Sequence, residues 1–346
     1  MDPLDKTATE ATFQRLTERQ RAVLSSIVHR YIGGGEPVGS RILSKDLVES
    51  ISPATIRNVM SDIEDMGLIE QPHTSAGRQP TELGFRAWVN HLMPRESMTE
   101  QECGRIDQAL REARDERELL MGVTLALAEV TRLLGVAVAP VKNRTRLDRL
   151  DLIPVGEMQM VLVATFGSGL VRSLSIDFDA PVHSDTFAEL AREVHVAALG
   201  NSLEEIQQKL RGSWQGSLSE LACRILEALL KISESGGRED VVLQGAAQML
   251  AQPELGDRAH QTDLVQLLED RRLLAQMLQE RAGQDDVVIT IGSQHGISQM
   301  RFLSLVSRGY RMGDSVGSIG VLGPTRMPYG KLVSVVDYLA QRLSQG

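Results

Sequence analysis

Between Arg15 and Ile32 apolar residues recur at Leu16, Val23, Leu24, Ile27, Val28 and Tyr31, the spacing of one helical face. Gly33, Gly34 and Gly35 predict the end of that helix, because three glycines offer no side chains to pack and tolerate any turn. A short second helix is predicted over Gly39 to Val48, with Ile42, Leu43 and Leu47 inward. Ser52 and Pro53 open a third, Ser52 as N-cap and Pro53 as first helical residue. Its inner face is Ile56, Val59, Met60, Ile63 and Met66, and Gly67 closes it. Residues 68–72 and 78–81 then predict two strands around a turn-rich stretch. Helix resumes to about Met93, with Leu83, Ala87 and Leu92 inward. Three helices followed by a small hairpin is the order of a winged helix-turn-helix, expected here over residues 1–95.

Beyond a linker at Pro94 to Ser97 the pattern changes. Glu100 to Leu134 predicts helix, heavily charged in its first half. Strands are predicted at Val136–Ala139, Met160–Thr165, Leu170–Ile176, Val287–Ile291 and Ser315–Leu322. They fall into two groups separated by a long helical stretch from Ser184 to about Glu234. The expectation is a multi-domain α+β chain. One α/β domain is split between residues 96–180 and 250–346, and residues 181–249 are inserted into it. A helix of the insertion carries an apolar stripe through Leu218, Leu221, Ile225 and Leu229. Ordinary core and a subunit interface both account for that stripe.

The third helix carries the candidate chemistry. At 100° per residue its apolar positions cluster on one side. Ala54, Arg57, Asn58 and Ser61 fall on the other, flanked by Thr55 and preceded by Ser52. A recognition helix needs this arrangement: the apolar side seats on the first two helices, and polar groups near the N-terminus face base edges. Arginine pairs with guanine O6 and N7, and asparagine with adenine N6 and N7. His73, Thr74, Ser75 and Arg78 of the hairpin loop complete the candidate surface, since a wing can follow phosphates or enter a minor groove.

Charge restricts this reading. The whole chain carries a formal net charge of −9, and residues 1–94 hold ten basic against twelve acidic side chains. Any basic footprint is therefore local. Asp62, Glu64 and Asp65 sit late in the third helix, beyond its reading turns. No apolar run approaches the ~18 residues that would cross a bilayer. The start, Met1-Asp2-Pro3-Leu4-Asp5, is acidic where a signal peptide would be basic. Cys103 and Cys223 are far apart and match no metal spacing, which suits a reducing cytoplasm. The seven histidines include no pair at helical metal spacing. Phe166-Gly167-Ser168-Gly169 lacks the spacing of a nucleophile loop, and Gly317, Gly320 and Gly323 lack that of a dinucleotide fingerprint. With no acid/base pair, nucleophile or metal cluster, the chain is expected not to be an enzyme and to need no cofactor.

Several longer segments carry a family resemblance. Gly35-Glu36-Pro37-Val38-Gly39-Ser40, Ser52-Pro53-Ala54-Thr55-Ile56-Arg57-Asn58 and residues 67–81 closely resemble the HrcA family of heat-inducible transcription repressors. The likeness continues at Leu152-Ile153-Pro154, Gln252-Pro253-Glu254 and Ile319 to Met327, so it spans nearly the whole chain. It departs at Gln294-His295, where the family usually has an acidic residue and asparagine, and at Pro328. The resemblance implies that the split domain is GAF-like and that the insertion dimerises. It implies a homodimer on double-stranded operator DNA, the inverted-repeat CIRCE element ahead of chaperone operons of the groE and dnaK type. It also implies that the GroEL chaperonin maintains the active form and that heat stress withdraws it.

Overall fold

The computed structural model describes residues 10–345 apart from 47–51, 74–75, 142–146, 167–170, 179–180, 183, 199–200, 283 and 314; of 202–240 it describes 206, 224, 225, 227 and 228. Helix α1, Glu18–Gly34, starts at a capping box: Gln20 N donates to the Thr17 hydroxyl and Thr17 N donates to Gln20 Oε1. Its apolar stripe is buried as the periodicity predicts, with Val23, Leu24, Ile27 and Val28 fully enclosed. Only the third of the three glycines ends it. Gly33 and Gly34 remain helical, and Gly35 takes the left-handed conformation at φ 73°.

In α2, Ser40–Asp46, Leu43 is buried but Ile42 is 45% exposed. The inward assignment of Ile42 is therefore wrong. Neighbouring helical positions point 100° apart, and a seven-residue helix seats a narrow stripe. Leu47 lies outside the described residues. Helix α3, Pro53–Asp65, buries Ile56, Val59, Met60 and Ile63, while Met66 is only half-buried. Strands β1, Ile69–Glu70, and β2, Gln79–Pro80, pair antiparallel with Ile69 opposite Pro80. Val38, from the α1–α2 connection, bridges to Arg78 and extends this small sheet. Gly77 is required there: a Cβ would stand 2.4 Å from the Val38 carbonyl carbon. Helix α4, Glu82–His91, turns inward through Phe85, Ala87 and Trp88, with Leu83 and Leu92 half-buried.

The helix expected over Glu100–Leu134 is two: α5, Glu100–Glu112, and α6, Glu116–Thr131. Ala113 is extended, and the Asp115 carboxylate caps α6 by accepting from Glu118 N at 2.8 Å. Strand β3, Leu134–Val141, leads out of the first unit. Strands β4, Leu147–Pro154, β5, Gln159–Phe166, and β6, Val171–Asp177, then make an antiparallel sheet in the order β4-β5-β6. Helix α7, Ser184–Ala198, follows. Leu150, Met160, Leu162, Ile176, Val194 and Ile225 form the core of this second unit.

The chain returns through β7, Val241–Gln244, and α8, Ala246–Leu250. Helices α9, Arg258–Glu269, and α10, Arg271–Gln279, precede β8, Val288–Ile291, β9, Leu303–Met312, β10, Ser315–Pro324, and α11, Tyr329–Gln345. The five-stranded sheet has the order β7-β3-β10-β9-β8. Two of its buried hydroxyls are matched by backbone carbonyls: the Tyr310 hydroxyl donates to Val138 O at 2.9 Å, and Ser318 Oγ donates to Leu278 O at 2.8 Å.

The protein is thus a mixed α+β chain of two units, residues 1–139, 242–310 and 317–346 against 140–241 and 311–316. Strands β4, β5 and β6 lie in the second unit, whose first residue is Pro140. Strands β3 and β7, on either side of the break in sequence, are neighbours in one sheet.

Candidate nucleic-acid interface

Helix α3 begins with two interlocked hydroxyls. Ser52 Oγ accepts from Thr55 N at 3.1 Å and lies 2.9 Å from Thr55 Oγ1. This satisfies one of the N-terminal amides and leaves others of the first turn open at the positive end of the helix. Ser52, Ala54, Arg57, Asn58 and Ser61 are exposed, with Thr55 half-buried beside them. Arg57 and Asn58 have no hydrogen bond or ion pair with any described residue. Their donors face solvent on the side opposite Ile56, Val59, Met60 and Ile63, and the buried side fixes which way they point.

The hairpin residues divide. His73 is exposed, and its carbonyl accepts from Ala76 N at 2.8 Å across the turn. Thr74 and Ser75 lie outside the described residues. Arg78 stands at the base of the hairpin rather than its tip. Its backbone exchanges hydrogen bonds with Val38 at 2.8 and 2.9 Å. Its guanidinium holds Glu64, with Nε donating to Oε2 at 2.9 Å. Glu64, read from the sequence as an acid kept away from the reading turns, thus ties the hairpin to the late part of α3. Ile225, from the insertion's apolar stripe, is fully buried within its own unit. Leu218, Leu221 and Leu229 lie outside the described residues.

Sequence reasoning missed two groups. Arg41 and Lys45 of α2 are exposed and make no ion pair among the described residues. A lone basic residue on a short helix has no periodic signal. The second group fixes the helical head to the rest of its unit. Arg326 Nη1 donates to Ile32 O at 2.8 Å, at the C-terminal end of α1, and its Nε donates to Glu254. Glu82 accepts from Ser293 N and Oγ, both at 2.8 Å, and pairs with Arg86. Arg326 and Ile32, and Ser293 and Glu82, are more than 200 residues apart in sequence, so only the folded chain reveals these contacts.

Three comparisons place the chain among known proteins. The model described as the HrcA protein C-terminal domain matches residues 117–333. The heat-inducible transcription repressor HrcA of Pelotomaculum thermopropionicum is 33% identical over 340 residues, covering 96% of this chain and 97% of that one. That of Chlorobium chlorochromatii is 31% identical over 341 residues, with the same coverage. A crystal structure of a hypothetical protein at 2.2 Å resolution shares the fold, with a TM-score of 0.57, 24% identity and coverage of 96% and 98%. By class, the protein is a transcription repressor and not an enzyme. The chain belongs to the HrcA family of heat-inducible transcription repressors. No described helix is long and apolar enough to cross a membrane.

Proposed function

We propose that residues 1–95 are a winged helix that reads double-stranded operator DNA through the N-terminal turns of α3. Arg57 and Asn58 contact base edges; Ser52, Ala54, Thr55 and Ser61 line the approach. His73, Thr74, Ser75 and Arg78 lie along the adjoining phosphates. The observation that carries this is the split character of α3: Arg57 and Asn58 exposed and, among the described residues, unpaired, set directly against a fully buried Ile56. Arg41 and Lys45 add local positive charge to a head whose total charge is negative.

The operator in this reading is the CIRCE inverted repeat of chaperone operons, bound by a homodimer in the cytoplasm. Two-fold DNA asks for two heads at fixed spacing. The inserted unit supplies the dimer contact through the stripe of Leu218, Leu221, Ile225 and Leu229, and the larger remaining part is a GAF-like domain. GroEL maintains the active form by rescuing inactive chains, so the active fraction is a kinetic balance that heat disturbs. The test is operator binding after a heat pulse, with and without GroEL, ATP and excess unfolded client. Recovery should require GroEL and be suppressed by client. Complete spontaneous recovery unaffected by either would refute the scheme.

A further inference from the structure

Among the arginines of the larger unit, Arg86, Arg308, Arg326 and Arg281 are largely withdrawn from water, and the first three have an acid partner. Arg86 holds Glu82, Arg308 holds Asp337 and Arg326 holds Glu254. The fourth, Arg281, at the end of α10, has no carboxylate within ion-pair reach among the described residues. Its guanidinium donates instead to two hydroxyls: Nη2 to Thr290 Oγ1 at 2.6 Å and Nη1 to Ser307 Oγ at 3.3 Å. Burial pushes its pKa down. A guanidinium cannot relieve that cost by losing its proton at any ordinary pH, so the cost remains unless an anion offsets it.

The hydroxyls sharpen the point. Thr290 lies on β8 and Ser307 on β9, and the register Val288 opposite Ser307 puts both on one face of this edge pair. Both are buried, and both already accept from Arg281, so their own protons point elsewhere. No described group accepts either proton. His295, on the turn after β8, has both ring nitrogens shut off from water; its ring interacts with the Leu303 backbone but makes no hydrogen bond of good geometry among the described residues. It is close enough to feel the Arg281 charge. Arg281, Thr290 and Ser307 converge in hydrogen-bond contact, with the His295 ring within reach of the Arg281 charge, and what is missing is a negatively charged acceptor.

We propose that this cluster binds a small oxyanion, held by the Arg281 guanidinium, the Thr290 and Ser307 hydroxyl protons and the His295 ring. Guanidinium and hydroxyl donors around one oxygen-rich anion are a strong charge-assisted set. The location gives the site a consequence. His295 closes the turn Gly292–His295, which also carries Ser293, the residue that holds Glu82 of the helical head. An anion that orders this turn therefore orders one of the head's anchors. The site does not depend on the DNA-reading proposal, and its test needs no DNA.

The experiment uses the full chain in a zwitterionic buffer at constant ionic strength, with chloride exchanged in turn for inorganic phosphate, sulfate or acetate. Thermal melting and the ring resonances of ¹³C-labelled histidine are followed. At least one oxyanion should raise the melting temperature saturably and move the His295 resonance. Response to phosphate and sulfate alone assigns a tetrahedral oxyanion, and response to acetate alone assigns a carboxylate. Arg281→Gln should abolish both effects. Should that variant fail to fold, Thr290→Val keeps the test open, and it should weaken anion binding about tenfold, the effect of one charge-assisted hydrogen bond. A His295 resonance unmoved by all three anions would mean that the cluster holds only water. A melting shift equal in wild type and the Arg281 variant would place the anion elsewhere. Either result overturns the proposal.

Discussion

Arg326→Ala should loosen the helical head from its support, and the size of the loss can be worked from the contacts. The Arg326 side chain is 17% exposed and that of Glu254 27%, so the pair is neither fully dry nor freely solvated. Breaking a buried pair costs ~3–5 kcal/mol, whereas an exposed pair is worth at most about 1 kcal/mol. An intermediate value of about 2 kcal/mol fits this burial, and the lost bond to Ile32 O adds about 1 kcal/mol. Glu254 Oε2 is already buried without a partner, so truncating the arginine strands the whole carboxylate. Denaturant unfolding should therefore show a loss of about 2–3 kcal/mol. Hydrogen exchange should rise first at the C-terminal end of α1, at Ile32 to Gly35. Replacing both partners, Arg326→Met with Glu254→Gln, should cost less than Arg326→Ala alone, because no unpaired charge remains. A loss under about 0.5 kcal/mol, the range of ordinary surface changes, would refute the anchoring role. Strictly additive single and double losses would refute the coupling.

Three further outcomes follow from single contacts. Ser52→Ala removes the α3 cap and should cost about 1 kcal/mol in urea unfolding; an unchanged midpoint would show that the cap is idle. Gly77→Ala forces a Cβ against the Val38 backbone and should destabilise by roughly 1–3 kcal/mol, checked by the same unfolding curves. His295 has its pKa lowered to about 4, first by burial and then by Arg281, while a weaker interaction with the Leu303 backbone opposes both. An unfolded histidine titrates near 6.5, so on acidification the unfolded chain takes up this proton first. The stability is full above about pH 6.5 and drains as pH falls toward 4, with a slope of at most about 1.4 kcal/mol per pH unit. In oxyanion-free chloride buffer His295→Gln should flatten this acid limb, and a limb of unchanged slope would remove His295 as its source.

Much of the head was legible in the sequence because its signals are local. The α1 stripe, the Ser52-Pro53 start and the Gly67 stop each depend on residues within a few positions of one another. The interrupted helix at Ala113 was hidden, because Arg114-Asp115 continues a run of charge that suits either helix or cap. Strand β9 was missed for another reason. Seven of its ten residues are buried, so it shows none of the alternation that marks a half-exposed strand. Strand β4 opens on Leu147-Asp148-Arg149, a polar mixture with weak strand character. Its place in a separate sheet is set by pairing with β5, which no local pattern encodes. Within the site, the exposed face of α3 followed from a wheel. The pairing of Arg78 with Glu64 did not, since it depends on how the hairpin folds back onto the helix.

The central claim is that the exposed side of α3 reads operator bases, and one measurement addresses it directly. Full-length Arg57→Ala and Asn58→Ala are titrated with an inverted-repeat operator and with variants altered one base pair at a time, with unfolding curves recorded alongside. Neither side chain has an intramolecular partner among the described residues, so stability should stay within about 0.5 kcal/mol of wild type. Each variant should lose about 1–3 kcal/mol per half-site, roughly 5- to 150-fold in affinity, and lose its preference at one base position. Wild-type affinity and wild-type base preference in both variants, at unchanged stability, would contradict the account.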